Sequence, residues 1–328
     1  MANLATDYLG LQLKNPLIVS SSTLVQNLQG VKEAEAAGAG AVVLRSLFEE
    51  LIREEIKKQD SDIYSGHPEE YAYILSELNL QYGPQNYLNL IQEVKSKVNI
   101  PIIASINCTS PKWWVNYAKQ IEQAGADALE LNLSLMPTDP GKTSLDIEQE
   151  FLSIIQAATQ HITLPIAVKI GPYFTSLSRF ANQICGSGVR GLVLFNRFYQ
   201  FDIDVEKQKV IGANWYSSPE EMSLSLRWIS ILHRHVNCEL AATTGIHDSA
   251  GVIKQLLAGA QVVEIASTIY LNGFTVIKKI LTELNDWMDK NRYQNISDFR
   301  GKLSLSQKKN PEEYERLQYI KALTGIEK

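Results

Sequence analysis

The stretch "IAVKIG", Ile166 to Gly171, sets a single ammonium, Lys169, into an otherwise apolar run. A charge in such a run is costly unless an anion faces it. Either Lys169 makes a salt bridge to a loop carboxylate, or it faces a catalytic site or cofactor; its position favours the second. Asn132 in "ALELNLS" and Asn196 in "VLFNR" also lie within extended apolar runs. An inward amide there is better explained by a bound polar ring than by a turn. "TTGIHDSAG" and "ASTIYLNG" add small residues, hydroxyls and free backbone N–H groups, the chemistry that holds a phosphate. A lysine, two amides and two such turns around one pocket suit a phosphorylated heterocycle such as FMN, with the lysine balancing charge on the reduced ring. The same pattern also admits a sugar phosphate, with Lys169 as a Schiff-base former.

These groups need elements to bring them together. Period-2 or fully apolar runs predict eight strands: Leu17–Ser20, Ala41–Ser46, Pro101–Asn107, Ala128–Ser134, Pro165–Gly171, Gly191–Arg197, Leu240–Gly245 and Val262–Ser267. Helical segments alternate with them, and the related turns "AAGAGA", "QAGADA", "GSGVRG" and "LAGAQV" close four of those helices. Eight βα units predict an α/β fold, a (β/α)8 TIM barrel. An open doubly wound sheet is the poorer fit, because the first turn lacks a GxGxxG run. In a barrel, chemistry sits at the C-terminal strand ends. Those ends carry Ser20, Arg45, Ser46, Ser105, Asn132, Ser134, Lys169, Asn196, Arg197, Thr243, Thr244, Ala266 and Ser267.

"LATDYLGLQLKNP" alternates and turns at Leu9-Gly10, as an N-terminal hairpin plugging the barrel floor would. Leu47–Ile100 and Phe198–Ser218 are too long for simple connections and are expected at the catalytic rim, as substrate cover or subunit contact. Residues 1–328 read as one barrel domain with a charged helical tail from about residue 303.

Composition narrows the class. A net charge of −5 without a basic run gives no footprint for nucleic acid. No apolar run approaches the ~20 residues of a membrane helix, and "MANLATDYLG" has no signal-peptide core. Cys108, Cys185 and Cys238 are odd in number and lack CxxC spacing, so neither a disulfide framework nor a metal site is expected, and a reducing cytoplasm fits. His233 and His235 read as a solvated helix end, and His247 as a cap for the phosphate loop.

Several longer stretches carry a family resemblance: "KNPLIVSSS", "LELNLS", "AVKIGPYF", "VLFNR", "ATTGIHDSAGVIKQLLAGAQVVEIAS" and "YQNISDFRGKL". Together the sequence resembles the dihydroorotate dehydrogenases, most closely the cytosolic fumarate-linked class. The resemblance implies a TIM barrel, bound FMN, a homodimer and oxidation of dihydroorotate to orotate in pyrimidine biosynthesis. Ser20, Arg45, Ser46, Asn132, Lys169, Phe195, Thr244, Gly245, Ala266 and Ser267 would contact FMN, while Arg45, Asn132, Asn196 and Arg197 would face the substrate. In the family reaction a base takes a proton from C5 of dihydroorotate while hydride leaves C6 for flavin N5, and fumarate then reoxidises the flavin.

Departures fall mostly on the substrate side. Where the family carries its catalytic cysteine or serine after "NLS", this chain has Leu135, then Met136, Pro137 and Thr138. Leucine accepts no proton, so Ser134, Thr138 or Cys108 would have to serve; Lys169 and Ser134 are the catalytic candidates. Arg45 replaces the family's lysine, Leu80 (beside Asn79) an asparagine, Thr244 a glycine, and Ala266-Ser267 a Gly-Thr pair. Leu135-Met136 predicts a greasier pocket. That leaves two alternatives: an FMN oxidoreductase for another cyclic amide or activated alkene, and a flavin-binding protein without turnover.

Overall fold

The computed structural model describes residues 2–53, 83–111, 114–307 and 310–325. An antiparallel hairpin of β1 (Thr6–Tyr8) and β2 (Leu11–Leu13) opens the chain. Then come β3 (Leu17–Val19), β4 (Ala41–Val43), β5 (Leu47–Phe48), β6 (Ile102–Cys108), β7 (Ala128–Leu133), β8 (Ile166–Ile170) and β9 (Gly191–Leu194). A second hairpin, β10 (Gln200–Asp204) and β11 (Lys209–Ala213), precedes β12 (Glu239–Thr243) and β13 (Val262–Ile265). The parallel order β3-β4-β6-β7-β8-β9-β12-β13 closes on itself through β13 and β3, so the fold is a (β/α)8 barrel wrapped by helices.

Strand parity sorts the residues. Leu129, Leu131 and Leu133 of β7, with Ile166, Val168 and Ile170 of β8, point outward into the large core beneath the helices. Ala128, Ala167, Val193, Ala241 and Val262 point inward and pack on Tyr8, Leu9 and Leu13. The N-terminal hairpin therefore plugs the floor. Leu9 and Gly10, both at positive φ, make its turn. Gly191 leaves room for it, since a Cβ there would lie 2.8 Å from Leu9 Cδ2. Glu130, Asn132 and Lys169 share the inward parity of Ala128 and Ala167, so the pattern that builds the core also aims the polar groups up the barrel axis.

Helices start where side chains satisfy their first N–H groups. Asn27, Thr143 and Asp248 cap the helices Leu28–Ala37, Ser144–His161 and Ser249–Ala258. The tail holds a helix at Pro311–Thr324, joined to Met222–Leu232 by the Arg227–Glu315 ion pair. No described helix is long and apolar enough to cross a membrane.

Four expectations change. Several strands stop short of their forecast ends, as with Ala41–Val43 against Ala41–Ser46. Cys185 and Cys238 form a disulfide with Cα atoms 5.4 Å apart, because the helix ending at Gly186 and the start of β12 converge at the barrel floor. His233 is no solvated end: Gly259 and Gly301 press on its ring, and a Cβ on either would lie within 2.3 Å of it. Part of Leu47–Ile100 is ordinary barrel structure, with β5 pairing to β6 and the helix Pro84–Lys95. Asn79, Leu80 and the Cys108 side chain lie outside the described residues.

Candidate active site

A cavity of about 160 Å³ opens at the C-terminal strand ends. Its wall brings together Ser20, Lys169, Phe195, Asn196 and Arg197 with the turns Thr244-Gly245 and Ala266-Ser267. Seven of the ten forecast cofactor contacts thus share one space: Ser20, Lys169, Phe195, Thr244, Gly245, Ala266 and Ser267.

Lys169 is the charged centre. Its Nζ donates to Ser20 Oγ at 3.1 Å and to Glu264 Oε2 at 2.8 Å, and lies 3.6 Å from Glu130 Oε1. All three ionisable groups are buried. Burial pulls the Lys169 ammonium down, but the two carboxylates outweigh it and leave the pKa above the ordinary lysine value. The anion facing Lys169 is therefore a pair of strand carboxylates, not a loop carboxylate, and the same ammonium also lines the cavity. Neither glutamate was singled out from the sequence. The signal was there, since Glu130 and Glu264 interrupt apolar strands as Lys169 does.

The half of the mouth around Thr244-Gly245 and Ala266-Ser267 is built from short side chains and backbone. Gly245 N–H donates to Ser217 Oγ at 3.2 Å, and Ser217 N–H donates to Ser267 Oγ at 3.0 Å. His247 Nε2 stands 3.3 Å from Ser217 Oγ, so it meets the loop through that serine. A Cβ at Gly245 would sit 2.3 Å from Met222 N and 2.8 Å from Ser218 O; the φ of +76° adds its own demand for glycine. Thr244, also left-handed at φ +72°, is tied down by its Oγ1, which donates to Phe195 O at 3.1 Å. Ser217 belongs to the Phe198–Ser218 insertion and was missed, because its place depends on how that insertion folds back.

The other half is less convergent. Asn196 Nδ2 donates to Asn132 Oδ1 at 2.8 Å, so the two inward amides meet as a pair. Arg197 reaches the wall, but its Nε donates to Glu221 Oε2 at 2.8 Å and its Nη2 to Tyr216 O at 3.3 Å. Arg45 and Ser46 line a separate small cavity with Gln26, Asn86 and Tyr87. Ser46 connects back through hydroxyls, 3.0 Å to Ser21 and 2.8 Å to Ser105. Ser134 is half-buried just past β7. Leu135 packs on the main core, and Met136 is exposed, so the Leu-Met pair does not line the cavity as forecast. Among the described residues no cluster of His, Cys, Asp and Glu is placed to hold a metal ion.

The arrangement fits a phosphorylated planar ring. The Thr244-Gly245 turn with the Ser217 and Ser267 hydroxyls lies at one end, and an ammonium with paired amides at the other. Comparison with known proteins gives the same direction. A profile of the dihydroorotate dehydrogenase family matches residues 3–288. The chain is 24% identical to the catalytic subunit of dihydroorotate dehydrogenase B (NAD(+)) from Thermoplasma acidophilum, over 92% of this chain and 99% of that one. It is 26% identical to the protein of that name from Methanocaldococcus jannaschii, over 86% and 92% of the two chains. A protein of Aeropyrum pernix provisionally named dihydroorotate dehydrogenase A (fumarate) is 24% identical, over 89% and 94%.

Proposed function

The chain belongs to the dihydroorotate dehydrogenase family, and from that premise we propose that it binds FMN in the cavity at the barrel mouth and oxidises dihydroorotate to orotate. One observation carries the reading: Lys169, Asn196 with its partner Asn132, and the Thr244-Gly245 turn meet at one barrel mouth. FMN, when bound, supplies the hydride-accepting chemistry. The protein supplies position and charge. The hydroxyls of Ser217 and Ser267 hold the phosphate, with Gly245 N–H fixing Ser217, and Ser20, Lys169 and Asn132 hold the ring edge. Phe195, Thr244 and Ala266 shape the wall. Ser46 reaches the cofactor side through the Ser21 hydroxyl, with Arg45 beside it in the neighbouring cavity.

On the substrate side, Asn132 and Asn196 present amides to the cyclic imide, and Arg197, with Arg45, answers its carboxylate. Exchange of Glu221 for a substrate carboxylate makes Arg197 a fork that accepts a planar anion. Leu135 offers no proton acceptor, so Ser134 at the same strand end is the candidate to take the C5 proton.

A homodimer is supported by the second hairpin. Phe201, Ile203 and Val210 share one exposed face, with Ile203 opposite Val210, and Trp215 beyond it is 83% exposed. So much apolar surface on one protruding element marks an interaction face, here a second copy of the chain.

Purified protein is expected to be yellow, with flavin absorbance near one equivalent per chain, and anaerobic dihydroorotate is expected to bleach it. Colourless protein that takes up no FMN rejects the cofactor; bound flavin that dihydroorotate leaves coloured rejects the substrate.

A further inference from the structure

Glu130 and Glu264 have no part in the reading above. They project inward from β7 and β13, each about 1% exposed, onto the one ammonium of Lys169. Two carboxylates against one ammonium leave a surplus negative charge in a dry interior, and like charges so close do not both stay ionised. Few groups relieve it. The Tyr8 hydroxyl faces the pair from β1 and has no hydrogen-bond partner among the described residues. Ser20 of β3 donates to Glu264 Oε2, while Ser105 of β6 reaches Glu130 at 3.5 Å. Tyr87 faces Glu130 from the helix Pro84–Lys95. Glu239 of β12 lies nearer the floor, bound to the Leu9 N–H, and adds negative charge. Glu264 itself lines the cavity, and its Oε1 has no partner among the described residues.

Resting on the FMN reading, we propose that Glu130, set against Glu264 and Lys169, carries one proton beneath the ring site and binds it more tightly when negative charge develops above Lys169. Burial first, then the charge of Glu264, push the Glu130 carboxyl up to about 8 against the opposing pull of Lys169. At neutral pH that proton is in place, and the cluster of two carboxyl groups and one ammonium is neutral. A hydride brings the ring two electrons and one proton, hence one negative charge. Below about pH 8 the pair already holds its proton, so reduction takes up one proton per two electrons. Above that pH the pair also gains one from solvent, making two. The hydroxyls of Ser21, Ser46 and Ser105 give that proton a route from the cavity wall to Glu130. Glu264 is a positioning residue in this scheme, acting through Lys169 and Glu130.

The test is the midpoint potential of FMN-loaded protein between about pH 6 and pH 10, where one proton per two electrons corresponds to ~30 mV per pH unit. Wild type is expected to fall by ~30 mV per unit below about pH 8 and by about twice that above it, whereas Glu264→Gln keeps ~30 mV throughout. A single slope in wild type, or the same break in Glu264→Gln, overturns the proposal and leaves FMN binding standing. Protein without FMN gives a second readout. The folded-state pKa of Glu130 is raised, so its stabilising contribution is full below the unfolded value of 4.5 and lost as pH rises through about 8. Urea midpoints of wild type are expected to decline over that window and those of Glu264→Gln to decline less; equal declines overturn the proton on Glu130. If no FMN is taken up at all, the cofactor reading fails, and this urea series alone decides the pair.

Discussion

The two halves of the barrel mouth are built differently. At the ends of β12 and β13 the mouth is lined by short hydroxyls, held in place by backbone N–H groups and by a glycine that tolerates no side chain. At the ends of β4, β7 and β9 the groups are long or displaced. Arg45 turns to a neighbouring cavity, Arg197 is held by Glu221, and Leu135 lies half-buried against the core. The first half is preorganised by the chain itself, whereas the second depends on partners that a bound molecule can replace. A barrel can therefore keep its cofactor end while the substrate end drifts.

Five substitutions press on this contrast. Lys169→Met has the largest expected effect, because the buried carboxylate of the cluster loses its counter-charge; about 3–5 kcal/mol of stability is lost. Urea unfolding measures it, and an unchanged midpoint would mean the ammonium is not what holds the cluster. Gly245→Ala forces a Cβ into the backbone at a left-handed position, a strain of about 1–3 kcal/mol. FMN affinity is then expected to fall roughly ten- to hundredfold in a fluorescence titration. Arg197→Met probes the looser half. KM for dihydroorotate is expected to rise about tenfold, in line with ~1.5–3 kcal/mol for a charged hydrogen bond, with FMN affinity unchanged. Equal losses of both would erase the distinction between the halves. The smallest effect is expected from the matched pair Ser267→Ala and Ser46→Ala. The first weakens FMN binding by about 1 kcal/mol and the second by less, since Ser46 reaches the cavity only through other hydroxyls.

Much of this architecture was legible in the sequence, for a physical reason. Strand alternation, glycine turns and the Leu9-Gly10 reversal are local signals, and local signals survive without a partner. Lys169 and Gly245 were legible on the same ground, as a charge in an apolar strand and a glycine in a hydroxyl-rich turn. Glu130 and Glu264 carried the first of these signals too, but the strands that held them were read for their apolar character. The rest is set by distant segments. Arg197 meets Glu221 across the hairpin of β10 and β11, Ser217 reaches the Gly245 turn from that insertion, and Cys185 meets Cys238 only because the barrel closes. The strand ends ran long because polar residues at a rim continue an alternation after the ladder has stopped.

The hairpin at the barrel floor sets an order of events during synthesis. The hairpin leaves the ribosome well before β12 and β13, yet the Leu9 N–H waits for Glu239, 230 positions later, and Asp7 O waits for Gln261. Until β12 and β13 are made, Tyr8, Leu9 and Leu13 have no chamber to fill, and a nascent chain carries this apolar segment unsheltered through most of its translation. Truncations that stop before Glu239 are thereby expected to be chaperone clients, whatever the quality of the strands they contain.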